Sequence, residues 1–135
     1  MLLDTGPLVA HLDAADQWHH VCQAHWDEMA ARVLTTEAVV TEACYFFARA
    51  GGPAWLPLEF VVELAIPVVP LEGSLHDRCI RLMREYANLP MDYADASLVA
   101  AAEALGIGQA FTTDRRGFSV YRAAGRAFEI VPGRS

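Results

Sequence analysis

Residues 91–106 read MDYADASLVAAAEALG, a run of small and apolar residues with the period of a buried helix. Asp95, Leu98, Ala102 and Leu105 recur at spacings of three and four, which places all four on one face. Three of them suit a core. The fourth is a carboxylate aimed along the same stripe. Pro90 precedes the run, Asp92 is well placed to cap it, and Gly106 ends it.

Outward from this helix the chain alternates short apolar runs with helical stretches, without repeats or linkers. Strands are expected at Leu2–Leu3, Val33–Thr35, Ile66–Leu71, Ala110–Thr113 and Ala127–Val131. Helices are expected from Pro7, over Asp16–Ala31, from the cap Thr36 to Ala50, over Ala54–Ala65 and over Ser74–Ala87. Strands joined through helical crossovers imply an α/β fold of three layers, a largely parallel sheet of about five strands flanked by helices. With 135 residues, one domain is expected over residues 1–135.

Composition narrows the function. Hydrophobic residues make up 54% of the chain and charged residues 20%, so a disordered or low-complexity chain is excluded. The apolar windows are too short to span a bilayer and no signal peptide is evident, making the cytoplasm the expected location. Cys22, Cys44 and Cys79 are odd in number and widely spaced, which suits buried thiols in a reducing compartment. His19, His20, Cys22 and His25 cluster within one helix. No second ligand pair exists, so packing by Trp18, Cys22 and Trp26 is the simpler reading.

The net charge of −7 argues against nonspecific coating of nucleic acid. Its distribution is uneven, −11 over residues 1–114 and +4 over residues 115–135, and every basic residue is arginine. Guanidinium forks suit phosphate, so Arg115, Arg116, Arg122, Arg126 and Arg134 are candidates for a backbone phosphate or an acidic partner; a solvated basic tail is the alternative.

In a parallel sheet, ligands bind beyond the C-terminal strand ends, where the following helices begin. Asp4 follows the first strand, Asp114 follows Ala110–Thr113, and Asp95 lies in the first turn of its helix. Glu42 lies in the second turn of the helix after Thr36, with Val39, Tyr45 and Phe46 at helical spacing. All four acids therefore belong to one edge. Singly, each has a bland explanation as a cap, a turn residue or a solvent-facing side chain. Together they must share protons or hold a cation, since two like charges about 4 Å apart repel by roughly 4 kcal/mol at an effective dielectric near 20. No lysine exists, and no arginine lies at helical spacing from Glu42 or Asp95. Oxygen donors without imidazole or thiolate favour Mg²⁺ or Mn²⁺.

The segments LLDTGPLVA with Asp4, VVTEACYF with Glu42, DYADASLVAAA with Asp95 and FTTDRRGF with Asp114 resemble, in order and spacing, the four acidic motifs of PIN-domain ribonucleases. The VapC-type toxins of type II toxin-antitoxin systems are the nearest branch, and the resemblance spans essentially the whole chain. It implies a Mg²⁺- or Mn²⁺-dependent endoribonuclease, with Asp4, Glu42, Asp95 and Asp114 as catalytic acids and metal ligands and Asp92 as a further acid. Thr112 would orient an acid from behind. Arg115 and Arg116 are candidates to hold substrate phosphate. The implied products are a 5′-phosphate and a 3′-hydroxyl, and a structured RNA such as a tRNA loop is the expected substrate.

The resemblance also implies a cognate VapB-type antitoxin whose C-terminal segment covers the acidic site, and a homodimer. Trp18, Trp26, Tyr45, Phe46, Phe47 and Trp55 are candidates for a partner groove, with core packing as the alternative for each. One departure stands out: Gly117 precedes Phe118 where relatives often carry an acid. Rival readings are a PIN-fold module retained for binding and a DNA-directed PIN-like nuclease, the latter usually needing more helices than 135 residues hold. A phosphoacceptor receiver needs a lysine that this chain lacks.

Overall fold

The computed structural model describes residues 1–133. In chain order it comprises β1 (Leu2–Leu3), α1 (Thr5–Leu12), α2 (His19–Met29), β2 (Thr35–Thr36), α3 (Glu37–Arg49), α4 (Leu56–Glu63) and β3 (Val68–Val69), then α5 (Ser74–Glu85), α6 (Tyr93–Leu105), β4 (Gln109–Phe111), α7 (Arg115–Phe118), β5 (Arg122–Ala123), β6 (Arg126–Ala127) and β7 (Glu129–Val131). No helix among the described residues is long and apolar enough to cross a membrane.

The sheet is parallel, as the crossovers require. Strand β4 is its centre, pairing with β1 (Leu2 with Ala110, Leu3 with Phe111) and with β7 (Gln109 with Glu129, Phe111 with Val131). The expectation of one five-stranded sheet needs correction. Three strands form β1-β4-β7, and β2 and β3 form a separate parallel pair joined to β1 only by a bridge between Leu2 and Leu34. The physical reason lies in strand length. Both strands give way to helices at once, β1 after the cap Asp4 and β2 directly after Thr36, and the Leu3 carbonyl takes a hydrogen bond from the Thr35 hydroxyl at 2.9 Å.

Alternation along these short strands builds a core on each face. Leu2 and Ala110 face α5, α6, Phe118 and Tyr121; Leu3 and Phe111 face α1, α2 and α4 with Leu8, Trp26 and Val61. Helix α6 is buried almost all round, from Ala96 to Ala102, so its small residues serve close packing rather than a single stripe. Leu105 departs from the stripe and is 52% exposed.

Two elements of the C-terminal part escape the sequence reading. Asp114 caps the short helix α7, and the run Ala127–Val131 is divided between β6 and β7 because residues 122–127 fold into a hairpin. Its turn residues, Ala124 (φ 49°) and Gly125 (φ 78°), adopt the left-handed geometry of tight hairpins. Alanine in such a position hides the signal. Arg122 donates to the carbonyls of Ser119, Val120 and Tyr121, which ties down the end of α7.

Candidate active site

The strand ends deliver the acids to one place. Asp4 leaves β1 and caps α1, Oδ1 accepting from the Thr5 amide at 2.8 Å and Oδ2 from the Thr112 hydroxyl at 2.7 Å. Thr112 Oγ1 also accepts the Asp114 amide at 2.9 Å. A single hydroxyl at the end of β4 therefore orients Asp4 and the backbone that presents Asp114. The approach of α1 to this edge needs Gly6, because a Cβ there would lie 2.1 Å from Thr113 Oγ1.

Helix α6 contributes Asp92 and Asp95 through a reciprocal capping box. Asp92 Oδ1 accepts the Asp95 amide at 2.8 Å, and Asp95 Oδ2 accepts the Asp92 amide at 3.2 Å. The carboxylate that breaks the apolar stripe is thus held at N3 by the helix end it caps. Helix α3 is tied to α6 by Thr36 and Ser97, both fully buried, whose hydroxyls meet at 2.6 Å. Their pairing sets Glu42, two turns into α3, against the start of α6. Glu42 stands at the boundary between buried Val39 and the exposed rings of Tyr45 and Phe46.

Asp114 caps α7 by accepting from the Gly117 amide at 3.0 Å. The departure noted at Gly117 has a steric cause: a Cβ there would lie 2.6 Å from Asp114 Oδ2 and 2.9 Å from the Tyr121 hydroxyl oxygen. Alanine is the better residue inside a helix by about 1 kcal/mol, so Gly117→Ala is expected to fold. It should nevertheless displace the Asp114 carboxylate and reduce the catalytic rate ~10- to 100-fold. Single-turnover kinetics beside a circular-dichroism melt would check this, and an unchanged rate would refute the steric argument.

The acids Asp4, Asp16, Glu42, Asp92, Asp95 and Asp114 line a cavity of about 360 Å³ in which no lysine or arginine takes part. Burial raises Asp4 to about 6, against the stabilising bonds from Thr112 and Thr5. Burial, then Asp4 and Asp92, raise Asp95 to about 8. Burial and the proximity of Asp92 raise Glu42 to about 7. Among the described residues no three acids stand close enough to make a ready-formed cation cage.

The donor set fits a hard divalent cation. Every donor is oxygen, and the buried Thr5 hydroxyl on the cavity wall has no partner in hydrogen-bond geometry, although it lies near enough to favour the Glu42 carboxylate. Asp4, Asp95, Asp114 and Glu42 are the residues that could hold such an ion.

The arginines stand apart. Arg115 donates to the Pro132 carbonyl, and neither Arg115 nor exposed Arg116 lines the cavity. Arg134 lies outside the described residues. Sequence reasoning missed Asp16, Thr5, Ser97 and Tyr121, whose hydroxyl donates to Asp95 Oδ2 at 3.3 Å. Only Thr5 carried a signal, by adjacency to Asp4. A second and larger hollow of about 710 Å³ runs alongside between α3, β3 and α6, with Glu42 and Asp92 in both walls and Tyr45 and Tyr93 exposed at its side. Of the six aromatic candidates for a groove, Trp26 and Phe47 are core, Trp18 is half-buried against that core, and Tyr45, Phe46 and Trp55 are exposed.

Known proteins resemble this chain. Ribonuclease VapC26 of Mycobacterium tuberculosis (strain ATCC 25618 / H37Rv) is 29% identical over 135 residues, covering 98% of this chain and all of that protein. The crystal structure of M. tuberculosis VapC20, described as a sarcin-ricin loop cleaving toxin, superposes with a TM-score of 0.80 at 18% identity, over 90% of this chain and 96% of that one. The sequence profile of the PIN domain matches residues 1–124, and with the acidic edge built as described the chain belongs to the PIN domain family.

Proposed function

We propose that the protein is a VapC-type toxin, a divalent-metal-dependent endoribonuclease acting in the cytoplasm as a single domain. The observation that carries this reading is the convergence of six acids on one cavity with no basic side chain to neutralise them. Its supports are the ribonuclease name of the relative aligned over its full length and the family of the fold. Bound Mg²⁺ or Mn²⁺ would supply Lewis-acid polarisation of a phosphodiester oxygen and an acidified water.

The chain's own residues do the remainder. Asp4, oriented by Thr5 and Thr112, and Asp95, oriented by its capping box, hold their carboxylates in set directions, and the acids would draw together when an ion binds. Asp114 completes the set from the end of the neighbouring strand β4. Glu42, held near 7 by burial and its neighbours, suits a proton acceptor for the attacking water. Arg116, exposed at the start of α7, is the better placed of the adjacent pair to hold a flanking phosphate, because Arg115 is engaged with Pro132.

The RNA is a structured one, since a chain of net charge −7 gains little from general attraction to phosphate. The hollow between α3 and α6 suits the C-terminal segment of a VapB-type antitoxin carrying a basic side chain toward Glu42 and Asp92, and the active assembly is a homodimer. Purified protein incubated with total cellular RNA and Mn²⁺ is expected to give discrete cuts that disappear with EDTA and in Asp4→Ala. Cuts that survive both would overturn the reading.

A further inference from the structure

Tyr121 lies outside the acidic motifs, yet it is the largest of the nearly fully buried side chains and its hydroxyl meets one of the acids that line the cavity. Its ring packs edge-on against Tyr86 and Phe118, with centroids 5.2 Å away in each case, and the residue is only 2% exposed. The ring is therefore fixed by packing, and the hydroxyl is delivered to one point. That point lies over Gly117, where a Cβ would come within 2.9 Å of the hydroxyl oxygen and 2.6 Å of Asp114 Oδ2. From there the hydroxyl donates to Asp95 Oδ2 at 3.3 Å.

We infer that Tyr121 is a positioning residue for the metal-binding carboxylates: seated over Gly117 between Asp95 and Asp114, its hydroxyl fixes one oxygen of Asp95 and leaves the other for the cation. The inference rests on the proposed metal-dependent function and names a residue that the four acidic motifs do not contain. Asp95 Oδ2 accepts both the Asp92 amide and the Tyr121 hydroxyl, from the capping box on one side and the aromatic core on the other. Oδ1 meets no protein donor among the described residues. Two donors on one oxygen set the rotation of the carboxylate, which a single long bond would leave free. Gly117 is then the residue whose small size lets the tyrosine and Asp114 share a wall. The absence of an acid before Phe118 suits this arrangement, because a Cβ at residue 117 would crowd both the hydroxyl oxygen, at 2.9 Å, and Asp114 Oδ2, at 2.6 Å.

Tyr121→Phe removes the hydroxyl and keeps the ring. Hydrogen-bond partners behind metal ligands typically contribute ~10- to 100-fold in affinity or rate. The primary readout is Mn²⁺ binding to the full-length protein without RNA, followed by electron paramagnetic resonance of free Mn²⁺. Tyr121→Phe is expected to weaken Mn²⁺ binding ~10-fold, to lower kcat similarly and to leave KM for RNA unchanged. Tyr86→Phe is the control. It removes a hydroxyl from the same aromatic cluster, one that accepts the Arg122 amide at 3.2 Å and does not touch Asp95, and it should leave Mn²⁺ binding unchanged.

Wild-type Mn²⁺ affinity in Tyr121→Phe would overturn the inference, as would an equal loss in both variants, which would mark a packing effect. Wild-type protein that neither binds Mn²⁺ nor loses activity in Asp4→Ala would overturn the proposed function and this inference with it. Wild-type protein that binds and cleaves beside an unaffected Tyr121→Phe would remove this inference alone.

Discussion

Asp95→Asn is expected to make the metal-free protein more stable at pH 8 while reducing RNA cleavage by about a thousandfold. Both effects have one origin. Burial, with Asp4 and Asp92 nearby, raises the Asp95 carboxyl to about 8, so near that pH the folded state carries a charge it disfavours relative to the unfolded chain. Asparagine keeps the shape and an acceptor oxygen for the Asp92 amide, and removes the charge. After allowance for the part of the side chain that meets solvent, the gain should be about 1–3 kcal/mol, read as a rise of several degrees in Tm without divalent ions. The lost anionic ligand is worth several kcal/mol of transition-state stabilisation, and about 4 kcal/mol is a thousandfold in rate. A variant both less active and less stable at pH 8 would show instead that the Asp95 carboxylate is held chiefly as a structural cap.

This opposition of stability and activity also explains how much of the site could be read from the chain. Asp4, Glu42, Asp95 and Asp114 are legible because each breaks a local rule: Glu42 and Asp95 put a carboxylate on an apolar stripe with no arginine at helical spacing, and Asp4 and Asp114 put one directly after a strand. Thr112 was legible by its place in a motif, and the structure gives it the two hydrogen bonds that orient Asp4 and Asp114. Tyr121 and Ser97 break no rule. A buried tyrosine and a serine in a small-residue helix look like ordinary core, and only the three-dimensional packing reveals that their hydroxyls meet Asp95 and Thr36.

The same reasoning separates the parts of the fold. Parallel order and two-sided burial follow from strand and helix alternation, and Leu2 and Leu3 do divide between the two cores. The hairpin at residues 122–127 and the split of the sheet at Leu34 depend on features with little local signature. Ala124 adopts positive φ where glycine or asparagine would have announced a turn. The Arg115 and Arg116 pair shows a further limit: adjacency to Asp114 in sequence does not bring either guanidinium into the cavity, because both lie in the first turn of α7, where Arg115 donates to the Pro132 carbonyl.

Metal-free protein is expected to lose stability as pH rises from roughly 5 to 8, and Mn²⁺ to reverse that loss most strongly at the upper end. Asp4, Glu42 and Asp95 lie at about 6, 7 and 8 in the folded chain, above their ordinary values. The folded state therefore binds more protons than the unfolded state across this window, and the unfolding free energy falls with pH. Asp4, which is 6% exposed, contributes about 3 kcal/mol at about 1.4 kcal/mol for each tenfold change in proton affinity; the other two are partly exposed and contribute less. Two groups act in the opposite sense. Burial lowers His11 and the Met1 amino group, and each favours folding more as pH rises toward its unfolded value. Neither lines the acid cavity, so neither should respond to the cation. Mn²⁺ at a hundred times its dissociation constant adds about 2.7 kcal/mol and competes with protons for the same oxygens, so its contribution should fade toward roughly pH 5. Urea unfolding across the pH range, with EDTA and then with Mn²⁺, isolates the acids as the difference between the two curves. A difference independent of pH would mean that the cation binds elsewhere, whereas one growing from pH 5 to 8 and absent in Asp4→Asn would tie it to the carboxylates at the strand ends.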